Sequence, residues 1–156
     1  MIYRLDDLGS AAIGQVGGKA AALGRMLISG IQVPDGIVIS TGEYEEFRNG
    51  TGTRDWLELE LGKRELSEMR WEEIWDLALR IENHFLVTAM PDELEQRILE
   101  SLSGFADASA VVRSSSPYED AQAKSFAGLH SSFVDVRGIA NILNSVKQVW
   151  ASLWSD

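Results

Sequence analysis

Apolar positions recur at helical spacing through most of the chain and at strand spacing in three short places. In the run GGKAAALGRMLIS, Ala20, Leu23 and Leu27 fall on one stripe, and the alanines raise helix propensity. This predicts a helix over residues 17–29. Gly30 suits the left-handed residue that ends a helix, with Ile31 folding back toward Met26. Pro34-Asp35-Gly36 reads as a turn. Ile37-Val38-Ile39 then reads as a short β-branched strand, buried on both faces. Ser40 with Glu43 fits a capping box that opens a helix over 42–48. Residues 49–53 form a loop.

Residues 55–102 are expected to be mostly helical. Trp71, Ile74, Ala78, Ile81 and Phe85 mark one helix face. Pro91 suits the first turn of the next helix, where Asp92 and Glu93 favour the positive end of the dipole. Leu94, Ile98 and Leu102 supply its apolar stripe. After Gly104 the texture changes. Ala110-Val111-Val112 is a strand, residues 113–124 are polar and turn-rich, and residues 132–136 alternate as a second strand. Ile139, Ile142, Leu143, Val146, Val149, Trp150 and Leu153 then form a strongly amphipathic helix. The expected class is α+β, with one small sheet built from the Ile37, Val111 and Phe133 strands and covered by several helices. No helix stop precedes Asp156, which suggests a piece of something longer.

At 156 residues the chain suits a single domain. A domain of this size buries about 68–70% of its unfolded surface. No apolar run reaches membrane-span length. The first residues lack the basic and apolar regions of a signal peptide. With no cysteine, disulfides, thiolate zinc sites and cysteine nucleophiles are excluded. A cytoplasmic protein is expected. The net charge of −10 repels nucleic acid and anionic membranes. A phosphate-bearing ligand would therefore need a few well-placed cations and backbone amides.

Gly14-Gln15-Val16-Gly17-Gly18-Lys19-Ala20 is a glycine-rich turn feeding a helix, a pattern that exposes amides to an anion. It is not a P-loop, because Ile13 stands six residues before the lysine and Ala20 follows it. Taken alone, a plain glycine-rich helix start is the better reading. Val112-Arg113-Ser114-Ser115-Ser116 places a guanidinium and three hydroxyls at a strand end, suited to phosphate oxygens or to a polar turn. Ser125-Phe126-Ala127-Gly128 lets backbone approach a ligand, or makes a tight hairpin. His84 reads as structural, and His130 could face a ligand. No nucleophile arrangement or metal-ligand spacing is visible. Glu119-Asp120 reads as a solvated turn, and the tryptophans read as core or interface.

Taken in order, GGKAAALGRMLISGIQVPDGIVIS, VVRSSSPYEDAQAKSFAGLHSSFVDVRG and the terminal VWASLWSD resemble the amino-terminal nucleotide-binding region of the pyruvate phosphate dikinase and phosphoenolpyruvate synthase family, a region shared by rifampicin phosphotransferase. The resemblance covers about half the chain; residues 50–104 correspond to a variable helical insert. It implies the amino-terminal lobe of an ATP-grasp fold, with ATP and magnesium (Mg2+) as cofactors. By this resemblance Lys19 contacts the nucleotide phosphates, and Arg113 holds phosphate oxygens during transfer. Gly128 donates backbone amides, and Ser132 brings a hydroxyl near the phosphates. Lys19, Arg113 and the Gly128 turn are expected around one cleft. The magnesium ligands are expected mainly from a second lobe. In the full enzymes the phosphoryl group passes to a histidine on another domain and then to pyruvate or a related acceptor. Pro117-Tyr118 and Leu129-His130 depart from the family pattern. The competing reading is a stand-alone protein-interaction module that uses the acidic insert and the tryptophan-bearing last helix.

Overall fold

Helix stripes and two short strand ladders build the protein, seen here in a computed structural model that describes residues 1–10, 13–105, 109–115 and 131–154. The elements are β1 (Ile2–Arg4), a 3-10 turn (Leu5–Ser10), α1 (Ile13–Ile28), β2 (Ile37–Ile39), α2 (Thr41–Gly50), α3 (Thr53–Gly62), α4 (Trp71–Val87), α5 (Asp92–Leu102), β3 (Ala110–Arg113), β4 (Ser132–Val136) and α6 (Ile139–Ala151). The expected α+β class holds. The single three-stranded sheet does not.

Strand β2 pairs antiparallel with β1, with Ile2 opposite Ile39, while β3 pairs antiparallel with β4. Three residues are too short a run to show alternation, so β1 left no strand signal. Nor is β2 buried on both faces; all three of its residues are half-buried. In the second ladder, Ala110 faces Val136 and Val112 faces Phe133, so β4 carries one extra residue. A bulge of this kind absorbs the mismatch. Asp135, inside it, has φ 53° and accepts hydrogen bonds from Ser109 Oγ at 2.7 Å and Arg137 Nε at 3.0 Å.

Helix α1 ends as its sequence requires. Gly30 has φ 77°, its amide bonds to the Leu27 carbonyl, and Ile31 N bonds to the Met26 carbonyl at 3.0 Å. That is the paired hydrogen-bond stop in which glycine carries the left-handed residue. The capping box at Ser40 is absent. Ser40 Oγ accepts instead from the Met1 amino group, and Glu43 bonds to that amino group and to Arg97, at 2.7 Å. Burial disfavours the charge on Glu43, but hydrogen bonds from the amino terminus and Arg97 outweigh it and hold its carboxyl below the usual range.

The larger core gathers Phe47, Leu57, Phe85, Leu94, Ile98 and Trp150. Phe47 anchors it, with ring centroids 5.8 Å from Phe85 and 5.2 Å from Trp150. Helix α4 contributes Leu77, Ile81 and Phe85, so its buried face is rotated from the expected one. Trp71 and Ile74 are exposed, at 70% and 41%. The helix is apolar around more than half its circumference, and packing against α6 selects the face. A smaller core unites Leu5, Leu8, Val16 and Ala20 beneath α1.

Candidate functional site

The glycine-rich turn is a break inside α1. Gly17 has φ 80° and ψ 165°, between helical residues on either side. That backbone region is open to glycine and strained for any residue with a Cβ. The expected start at residue 17 is therefore a kink, with one helical turn before it. Tyr3 Oη donates to Gln15 Oε1 at 3.1 Å and Thr41 Oγ1 to the Gly14 carbonyl at 3.4 Å, which fastens the segment ahead of the kink.

The segment behind the kink is fastened from far along the chain. The Ala20 amide donates to Ser115 Oγ at 3.0 Å, across 95 residues of sequence. A Cβ built on Gly17 would lie under 3.0 Å from the Ser115 carbonyl oxygen and hydroxyl. The end of β3 is thus docked on the turn that carries Lys19. Lys19 is half-buried. Arg113, the last residue of β3, is exposed and stands directly opposite Ser132 in the ladder. Lys19 thus precedes Ala20 by one residue and Arg113 precedes Ser115 by two, so the Ala20–Ser115 bond joins the two segments that carry them, and Ser132 is the ladder partner of Arg113. Gly128 lies outside the described residues, as do His130, the Ser125-Phe126-Ala127 segment and Glu119-Asp120.

For the three serines after Arg113, the sequence left phosphate binding and a polar turn open and did not distinguish one hydroxyl from another. The structure assigns the Ser115 oxygen to the Ala20 amide and buries Ser114. No local signal distinguishes these hydroxyls, because the partner sits on another element. The structural reading of His84 holds. Its ring stacks on Trp56 with centroids 3.9 Å apart, Nε2 lies 3.1 Å from Thr53 Oγ1, and burial lowers its pKa. Among the described residues, no three His, Asp or Glu side chains gather where they could hold a metal ion. Among the same residues no helix is long and apolar enough to cross a membrane.

These features define a small α+β domain with a glycine-kinked helix start docked on a strand end that bears an arginine. Over residues 13–156 the chain matches the family described as pyruvate phosphate dikinase, AMP/ATP-binding domain, and it belongs to that family. It is 34% identical to a phosphoenolpyruvate synthase of Aeropyrum pernix, over 99% of this chain and 20% of that protein. A rifampicin phosphotransferase of Bacillus cereus is also 34% identical, over 90% of this chain and 16% of its own. A phosphoenolpyruvate synthase of Escherichia coli is 30% identical over the whole chain and 20% of its own length. The chain spans about a fifth of the length of these curated relatives.

Proposed function

We propose that this chain is the ATP-binding lobe of a phosphotransferase, the amino-terminal lobe of an ATP-grasp fold formed by residues 1–156 as one domain. The observation that carries the proposal is the contact of Ser115 with Gly17 and Ala20, which sets the Lys19 turn beside the strand end of Arg113. Phosphoryl transfer asks a protein mainly to position phosphates and neutralise charge. Lys19 supplies a point charge to the nucleotide phosphates. Arg113, with its planar fork, holds oxygens of the transferred group. Ser132 offers a hydroxyl at the neighbouring ladder position, and Gly128 offers backbone amides.

Magnesium bound with ATP neutralises phosphate charge. By the family resemblance, its protein ligands are assigned mainly to a second lobe. By the same resemblance, in the full protein the phosphoryl group passes by way of a phosphohistidine domain to pyruvate or a related acceptor; the names of the relatives point to phosphoenolpyruvate synthesis or to rifampicin as the destination. The remaining lobe and that domain are then the chain's natural partners. The exposed Trp71 and Trp75 on α4 favour a second reading, an interaction module without nucleotide binding.

Titration of the chain with magnesium-ATP, followed by amide NMR, decides between the two. Half a site supports a Kd on the order of 1 mM, or about −4 kcal/mol. A charge-assisted hydrogen bond contributes about 1.5–3 kcal/mol. Lys19→Ala and Arg113→Ala should therefore each abolish measurable binding. Shifts that are absent, or indifferent to both substitutions, would reject the nucleotide reading. Submicromolar binding, or radiolabel from ATP on His84 or His130, would reject the lobe reading in favour of a complete enzyme.

A further inference from the structure

We infer that Ser115 is a positioning residue, a helix cap supplied from the segment just after β3 that holds the Lys19 turn in register with Arg113. The inference rests on the nucleotide reading above. Its first ground is local. A non-helical residue restarts a helix, and the first amides after it lack carbonyl partners behind them. The residue at the break would normally cap the third amide with its own side chain. Here that residue is Gly17, which has no side chain, and the third amide is that of Ala20. Ser115 Oγ takes the place of the missing cap.

The second ground is the division of the core. Val16 and Ala20 belong to the smaller cluster beneath α1, whereas Ala110 and Val112 of β3 pack on the larger one. The two candidate cations therefore ride on different packing units. Sliding of one unit over the other would separate Lys19 from Arg113. The Ser115–Ala20 bond crosses that boundary beside both residues. Gly17 permits the crossing, since any Cβ there would drive Ser115 away. A displacement of about 1 Å in a site of this kind is enough to lose most of its effect.

The test is Ser115→Ala in the whole chain, read by amide NMR with and without magnesium-ATP. A hydrogen bond contributes about 0.5–1.5 kcal/mol net, which converts to between about two- and tenfold. The Ala20 amide should exchange faster by about that factor without nucleotide, and the Kd for magnesium-ATP should rise by a similar factor. Unchanged affinity with faster Ala20 exchange would overturn the positioning role and leave the nucleotide reading intact. Weaker affinity with unchanged Ala20 exchange would also overturn it, since Ser115 would then touch the nucleotide itself. A parent chain that fails to bind would reject the nucleotide reading and, with it, the role assigned to Ser115.

Discussion

Gly17→Ala tests whether the kink in α1 is the fixed point of the site. The residue sits at φ 80° and ψ 165°, so alanine there would be strained even in open space. Strain of that kind costs about 1–3 kcal/mol. The space is not open. The new Cβ would fall under 3.0 Å from the Ser115 carbonyl, a separation that real Cβ atoms do not show. Ser115 must move, and its bond to Ala20, contributing about 0.5–1.5 kcal/mol, is lost. Together these give a loss of about 2–4 kcal/mol. At about 2–4 °C per kcal/mol for a domain of this size, the melting temperature should drop by roughly 5–15 °C. Gly14→Ala is the matched control. A Cβ there meets nothing within 4 Å, and alanine gains up to about 1 kcal/mol in helix propensity. Urea titrations of both variants, analysed at a common slope, give the comparison. A Gly17→Ala protein as stable as the parent would refute both the kink and its contact with Ser115.

Other substitutions probe the frame around the site. Leu94→Ala, at a fully buried position of α5, should cost about 2–5 kcal/mol in urea unfolding, whereas Trp75→Ala, at a position 60% exposed, should change stability by less than about 1 kcal/mol. Burial lowers the pKa of His84, so the unfolded chain takes up its proton first. Stability is therefore full above about pH 6.5 and falls as pH drops below it, and His84→Gln should flatten that slope below about pH 6.5. Glu43 is opposed by burial but held down by the amino terminus and Arg97, so its contribution is full above about pH 4.5 and is lost as pH falls through its folded value. Glu43→Gln should lower stability at pH 7 and make the acid limb shallower; an acid limb identical to the parent's would contradict the ionic anchor.

Candidate site residues could be named before the fold was known. Lys19, Arg113 and Ser132 were proposed because the three motifs follow the order of the family they resemble. Their gathering around one cleft was expected from the resemblance, but the contact between Ser115 and Ala20 was not legible. Ala20 and Ser115 stand 95 residues apart, and neither has a neighbour within a helical turn that announces the other. The oxygen of Ser115 is assigned by where α1 lies, not by the serines beside it.

The sequence by itself determined those elements whose signals act within about four residues. The stop at Gly30, the stripe of Leu94, Ile98 and Leu102, the strand over Ser132–Val136 and the apolar face of α6 from Ile142 to Trp150 appear where spacing and glycine placement put them. The strand's alternation nonetheless breaks at Asp135, and Leu153 is exposed. Tertiary structure decided what local spacing left degenerate. Helix α4 is apolar around more than half its circumference, and its packing, chiefly against α6, buries Leu77 with Ile81 and Phe85 and leaves Trp71 and Ile74 exposed. Ser40 and Glu43 have the residue types of a capping box, yet the amino group of Met1 and the guanidinium of Arg97 claim them, because a charged partner outbids a backbone amide for a buried carboxylate. Strand β2 was visible, but its partner was not, since an edge of three residues becomes a strand only when the chain brings another edge beside it.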